Sequence, residues 1–453
     1  MGDLVNDYAN PIGLGFTLLM GCVMLVLPRK YALIPVVILI CYMTMGTGVI
    51  IAGFNFTMLR LLLVFTWLRI IVRGEFGRIQ MNPIDKSLIA FVISALVIYT
   101  VLWQTYDALK YKLGLVYNVV GFYFAFRMLI RDREDVVRVL KFFAFLIAPL
   151  ACLILEERAT GHNWFAFLGG VPELTMIRDG TLRCEGPFRQ PILTGTFGAT
   201  VMSYFAALWL LRSRVLALMG IISSLIIVFL AASSGPVLAG LGGVLALAMW
   251  RMRGHLKWIR RAGVTVFLGL AAFMNAPVWY LIARMDVVNG STGWHRAFLL
   301  DMATKHFSEW WLLGVKSTRS WADYDQIWDI TNQYISYGVD GGLITMILFV
   351  LIIAFAFRAV GRFVNSENES RADRLLLWCL GAALLAHTVN YFSITYFDQN
   401  FVVWYMLLAM ISTLAGGYLL TPAPLTAAEE PSNAVLESAE TAEKWINPEV
   451  AAL

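Results

Sequence analysis

Arg178, Arg183 and Arg189 lie within twelve residues of one another in the stretch RDGTLRCEGPFRQP. Gly180, Gly186, Pro187 and Pro191 bend the chain there, so the stretch forms a stiff, cationic turn at the entrance to the apolar segment that follows. A guanidinium donates in a planar fork that matches phosphate oxygens, and the N-terminus of the next helix adds positive potential. Such a turn suits the clamping of a diphosphate. The competing reading is structural, with the same arginines paired to Asp179, Glu185 and lipid headgroups.

A second polar stretch begins STGWHRAFLLDMATKHFSEWWLLG. Wound at about 100° per residue from Trp294, its apolar residues Leu299, Leu300, Ala303, Phe307 and Trp310 gather between about 140° and 240°. Arg296 falls at about 200°, in the middle of that face, with Asp301, Lys305 and Ser308 opposite. A charge on a buried face needs either an acid from another helix or a bound anion. His306 at the edge of the face reads as an interfacial polar residue. Trp310, Trp311, Trp321 and Trp328 read as an interfacial belt, of which one or two suit stacking on sugar rings. Arg60 sits about one turn inside its helix, where an arginine implies a partner, a substrate path or snorkelling to headgroups. His387 and Asn390, one turn apart, line the same region or make an interhelix hydrogen bond. There is no P-loop, no paired DxD and no HExxH, so a cytoplasmic nucleotide sugar is not the expected donor, and no metal or cofactor is expected.

The elements that position these residues are set by composition. Hydrophobic residues make up 59% of the 453 and charged residues 14%, against a usual ~45–50% and ~25%. So apolar a chain excludes a soluble enzyme and a secreted disulfide scaffold. The net charge of +5 is not gathered into one basic stripe, which excludes a nucleic-acid binder. Of five cysteines, only Cys184 lies outside an apolar run. The chain reads as an all-α, polytopic membrane protein. Apolar runs at 12–27, 31–52, 57–72, 87–103, 113–130, 136–155, 192–211, 215–233, 236–252, 263–283, 341–357, 375–393 and 401–420 predict 13 spans. Most of the 35 Lys and Arg fall in alternate connections (Arg29 and Lys30; Arg69 to Lys86; Arg127 to Lys141; Arg212 and Arg214; Arg251 to Arg261; Arg358 to Arg374), which predicts an outer N-terminus and an inner C-terminus. MGDLVNDYANP carries Asp3 and Asp7 and no basic residue, so no cleaved signal peptide is expected. Residues 1–420 are expected to form one transmembrane domain. Two long outer loops, about 156–191 and 284–340, carry the chemistry or else cap the bundle. The Ala-, Glu- and Pro-rich segment 421–453 is expected to be a disordered acidic cytoplasmic tail.

In their order these residues resemble the O-antigen ligase and polymerase superfamily of bacterial envelope glycosyltransferases, most clearly over 178–415. Arg183, Gly186, Phe188 and Pro191 match an Arg, Gly-x-Phe, Pro pattern ahead of a membrane helix. Ser233-Ser234-Gly235 matches a Ser-Arg-Gly in part, lacking the Arg. Trp294 with Arg296, Gly314, Asn332-Gln333-Tyr334 and Gly341-Gly342-Leu343 follow in the expected sequence. Thr331 stands where ligases commonly have His before the Asn, which favours a polymerase or exopolysaccharide enzyme over a ligase. The resemblance implies a GT-C-like multi-helix fold in the bacterial inner membrane and an undecaprenyl-diphosphate-linked glycan as donor, transferred to an acceptor sugar hydroxyl on the periplasmic face. A flippase and a chain-length regulator are the implied protein partners. Arg183, Arg189, Arg296 and Arg60 would meet the diphosphate; Trp294, Asn332 and Gln333 the glycan; Glu185, Glu309 and Asp329 are candidate proton acceptors. The alternatives are a ligase acting on a lipid A core, a transporter of lipid-linked polysaccharide and a scaffold for an envelope complex.

Overall fold

The computed structural model describes residues 7–8, 10–51, 53–77, 79–284, 293–322 and 330–420. The tail at 421–453 and the candidate Asp329 lie outside the described residues. The described residues up to Leu419 form one compact unit. Apolar runs become helices where nothing interrupts them: α1 (Pro11–Val26), α2 (Ile34–Tyr42), α3 (Met58–Val72), α4 (Pro83–Trp103), α5 (Tyr106–Leu129), α6 (Arg133–Thr160), α7 (Pro191–Leu210), α8 (Arg214–Leu230), α9 (Ser234–Ala248) and α10 (Leu256–Phe273). After them come α11 (Gly293–Lys305), α12 (Phe307–Trp310), α13 (Gln333–Val364), α14 (Arg371–Asn390) and α15 (Gln399–Ala415). Five short strands, β1 (Asp7–Tyr8), β2 (Thr47–Ile51), β3 (Phe54–Thr57), β4 (Met176–Arg178) and β5 (Thr181–Arg183), form two small sheets. Among the described residues, seven helical segments are long and apolar enough to cross a membrane, Ser234–Phe273 counting as one, and α1 and α8 are shorter apolar helices. The chain is an all-α membrane protein in architecture.

The run 31–52 departs from expectation. Only α2 is helical; the chain then runs extended into β2, which pairs with β1 and β3. Gly46 explains the change, because its backbone lies against Gly170, whose oxygen a Cβ would meet at 2.2 Å. Since β2 pairs with β1, the chain just ahead of α1 and the strand that follows α2 lie at one end of the bundle. The α2–β2 segment therefore retraces the length of α1, half as helix and half as extended chain. Its buried Met43, Thr44 and Met45 place that non-helical backbone inside protein, where it is tolerated.

Helix α7 is buried on nearly every side and packs against α8, α9 and α14. Small residues make that closeness possible: Gly195 meets Ala231 and Pro236, and Gly198 meets Ile227. Lipid is as apolar as leucine, so close packing rather than hydrophobic exclusion drives such contacts. At the basic end, cations are matched. Arg69, fully buried, pairs with Glu75 at 2.7 Å and donates to the Leu27 and Met24 carbonyls. Asp135 takes both Arg29 and Arg138, and Asp85 takes Arg127 and the Tyr123 hydroxyl.

At the other end, Gly341 and Gly342 break α13 into two helices, Gly342 at φ 71° and ψ 173°. The break frees backbone groups that the 311–315 segment satisfies: Leu343 N donates to Trp311 O (2.7 Å) and Val315 N to Val339 O (2.8 Å). A Cβ on Gly342 would lie 2.2 Å from Leu312 O. Gly342→Ala should therefore lower stability by at least about 1–3 kcal/mol, since that φ/ψ region belongs almost wholly to glycine. Thermal unfolding in detergent reads the effect, and an unchanged midpoint would dismiss the anchoring role of the break.

Candidate functional site

The site begins at the β4–β5 hairpin, which turns on Asp179 and Gly180, both at positive φ (49° and 73°). Arg178 pairs with Thr181 and Met176 with Arg183, so Arg178 and Arg183 are diagonal neighbours on one face, about 7–8 Å apart. Cys184 N then donates to Leu230 O (3.0 Å), tying the hairpin to the end of α8 and bringing Arg183 to the start of α9. The following turn is held by Glu157 at the end of α6, whose carboxylate accepts from Glu185 N (2.9 Å), Gly186 N (2.8 Å) and the Thr175 hydroxyl (3.2 Å). Gly186 takes φ 56°, Phe188 is buried against Phe197, and Pro191 opens α7. The Gly-x-Phe and Pro of the sequence pattern thus shape the turn, while the arginine is what it presents.

Arg183 Nη2 donates to the Ser233 hydroxyl, and Arg296 Nη1 to the Ser234 hydroxyl at 3.4 Å. Ser233 is the N-cap of α9, and its side chain makes no capping bond. The hairpin and α11, far apart in sequence, therefore converge on one helix N-terminus, the positive end of the α9 dipole. Arg296 lies on the buried face of α11 with Leu299 and Ala303, as its helical phase predicts, and is 8% exposed. Phe307 leaves that face because the helix is interrupted at His306. Among the described residues no carboxylate pairs with Arg183 or Arg296, and Arg183 Nε is buried without a partner.

Burial pushes the Arg296 guanidinium down to about 10, with Arg178 and then Arg183 adding to the effect. Burial followed by Arg178 lowers Arg183 as well. Both remain cations at neutral pH, and their mutual influence marks three guanidiniums sharing one field. Glu185, 1% exposed with both carboxyl oxygens unpartnered, is pushed up to about 8 by burial and then by Glu157, against the pull of Arg183. It is mostly neutral at pH 7, so the cluster keeps its positive charge.

The other sequence candidates lie outside this cluster. Arg189 is engaged by Asp398, its Nη2 at 2.6 Å, and stacks over Phe397. Arg60 donates to Asn118 (2.8 Å) and to Asn55 O (2.7 Å). Glu309 accepts from Trp321 and pairs with His306, which hold its carboxyl below the usual range. His306 stacks on Trp321, an interfacial role. Asn332 caps α13 through Tyr334 N and Ile335 N, and Gln333 accepts from Tyr396 N, so both side chains anchor backbone. Trp294, 64% exposed, stacks on Phe298. Asn390 makes an interhelix bond to Thr196 on α7, and His387 meets the Tyr396 hydroxyl. Sequence reasoning missed Glu157, whose one signal was an acidic pair closing a long apolar helix, and Asp398, which carried none. No protein-family model matches this sequence, and no curated protein is significantly similar to it.

The arrangement suits an anion, and its positive charge falls as Glu185 ionises. Affinity for inorganic pyrophosphate should hold below pH 8 and weaken as pH rises through about 8. Glu185→Gln should remove that component, the difference between the two proteins cancelling the titration of pyrophosphate itself. Parallel pH profiles, measured by calorimetry in nanodiscs, would exclude Glu185 from the field of the site.

Proposed function

We propose that the chain is a bacterial inner-membrane glycosyltransferase of the superfamily it resembles, and within it a polymerase of surface polysaccharide. In this reading a glycan moves from a polyprenyl-diphosphate donor to an acceptor sugar hydroxyl on the periplasmic face. The observation that carries the reading is the convergence of Arg183 and Arg296 on Ser233 and Ser234 with no carboxylate partner among the described residues. At the basic end, by contrast, arginines meet acids or helix-end carbonyls. An uncompensated buried cation pair is what a diphosphate ligand requires.

The topology of this reading is thirteen crossings with the N-terminus outside. Twelve are helices, and the second is α2 continued by extended chain. Counting α9 and α10 as two crossings rests on geometry: α11 packs on the 278–284 turn just after α10, yet its Arg296 reaches Ser234 at the start of α9. A straight 40-residue helix would hold those ends about 60 Å apart.

In the reaction the acceptor hydroxyl oxygen bonds to the anomeric carbon, and the bond to the diphosphate oxygen breaks with its electron pair on the leaving group. Arg183 and Arg296 stabilise that developing charge, with Arg178 and the α9 N-terminus adding to the field. The acceptor hydroxyl's proton passes to the departing diphosphate or to the small ionised fraction of Glu185, the candidate proton acceptor that adjoins the cluster.

Arg183→Ala and Arg296→Ala should each abolish transfer in vesicles supplied with lipid-linked oligosaccharide while leaving normal protein levels in the membrane. Arg→Lys should rescue poorly, because an ammonium lacks the fork. Near-normal transfer in both alanine variants would remove the diphosphate clamp. Polymerase and ligase differ in what a deletion leaves behind. With Thr331 replacing the ligase histidine, single lipid-linked repeats or truncated glycan should accumulate. Long polyprenyl-linked polymer with a bare acceptor would reassign the chain as a ligase.

A further inference from the structure

A second cluster sits where α4 ends and α5 begins, beside the break in α13. The α4–α5 turn passes through Gln104 at φ 52°, and Thr105 caps α5. The turn sets three rings together: Tyr99 lies 5.7 Å from Trp103 at 33° and 5.7 Å from Tyr111 at 39°. The Lys112 ammonium lies 4.1 Å from the centre of the Tyr99 ring and 3.0 Å from Asp340 Oδ2. Asp340 is the last residue before Gly341 and Gly342, so the helix break fixes its position.

An interfacial aromatic belt does not account for this geometry. A belt lysine snorkels its charge to water, whereas the Lys112 side chain is 4% exposed. A belt tryptophan wets its N–H, whereas Trp103 Nε1 is buried with no hydrogen-bond partner. The cluster nevertheless opens outward at the Asp340 carboxylate, 41% exposed, and at the Tyr111 ring, 52% exposed. An aromatic surface beside a carboxylate–ammonium pair matches one ligand chemistry. A pyranose lays its apolar C–H face on the Tyr111 ring and offers hydroxyls that donate to the Asp340 carboxylate, which Lys112 holds from the buried side. A phosphate headgroup fits worse, since Asp340 would repel it.

We propose that Tyr99, Trp103, Tyr111, Lys112 and Asp340 form a saccharide subsite, and that it holds the acceptor glycan of the transfer reaction. Only the second half rests on the function proposed above. The subsite is built on α4, α5 and the first half of α13; the guanidinium cluster is built on the hairpin, α9 and α11. The two are separate constructions at the same end of the bundle, and a two-substrate transfer needs both.

The test uses the full chain in nanodiscs and oligosaccharides of one to three repeats cut from the host's own surface polysaccharide, with inorganic pyrophosphate as a second probe. Wild type should bind both. Tyr111→Ala and Asp340→Asn should each weaken oligosaccharide binding by about tenfold and leave pyrophosphate binding unchanged. Thermal unfolding confirms that each variant is folded, and Tyr111→Ala, which trims an exposed ring, serves if Asp340→Asn is not. Oligosaccharide affinity unchanged in the variants, or absent in wild type, overturns the subsite. So does a loss confined to binding of phosphatidylglycerol, which would make the cluster a headgroup site. Oligosaccharide binding that is lost in the variants, in a wild type that binds no pyrophosphate, keeps the subsite and rejects the transfer reaction.

Discussion

A buried guanidinium, Arg296, with no carboxylate partner among the described residues is the constraint around which the end of the bundle at the start of α9 is arranged. Arg296 is held on the inward face of α11 with a serine hydroxyl for company and two further arginines in its field. Desolvating a charge without an opposite charge is costly, so the surrounding structure must over-determine its position. It does so through covalently distant supports. Glu157 fixes the 185–186 turn, Cys184 N fixes the hairpin to α8, and the α13 break pins the segment that follows α12. Each support uses backbone groups, which leaves the guanidiniums free of structural duty.

The contrast between the two ends gives this arrangement its meaning. Arg69 is more deeply buried than Arg296, yet it is fully matched by Glu75 and the carbonyls that close α1. Arg189 lies only six residues from Arg183, yet Asp398 takes it, on a residue that accepts positive φ (57°) to do so. The fold therefore supplies acids to Arg69 and Arg189, as it supplies an amide and a backbone carbonyl to Arg60. At Arg183 and Arg296 it supplies serine hydroxyls, and its nearest acid, Glu185, is one that burial keeps protonated. Site and scaffold differ in partners, not in residue type.

That difference marks how far sequence reaches. Hydropathy located most of the long helices because a long uninterrupted apolar run in lipid has almost no alternative to a helix. It misread 31–52, where a glycine–glycine contact between Gly46 and Gly170 overrode an apolar composition that looked helical. Helical phase placed Arg296 on a buried face, since that inference needs only local geometry. Which arginine keeps its charge available was not legible, because Asp398 and Glu157 reach Arg189 and the 185–186 turn through contacts 209 and 28 or 29 residues apart in sequence. Asn332 and Gln333 show the same limit: their motif was visible, but their side chains secure the backbone of α13 and Tyr396.

The placement of the cluster at the start of α9 also explains why serines stand at 233 and 234. An ordinary N-cap serine turns its hydroxyl inward to the helix N–H groups, satisfying one of them. Here Ser233 makes no such bond and instead accepts from Arg183, while Ser234 accepts from Arg296. Ser233 therefore does not cap the first turn of α9, whose third residue, Pro236, has no N–H to cap, and Gly235 admits Ser393 and Asn390 of the neighbouring helix end to close contact. An arginine at 234 would add charge, but it would also crowd two guanidiniums already raising each other's cost. Two hydroxyls hold the arginines in place without neutralising them. Three guanidiniums and a helix end thus share one positive field among the described residues, with Glu185 the acid beside them.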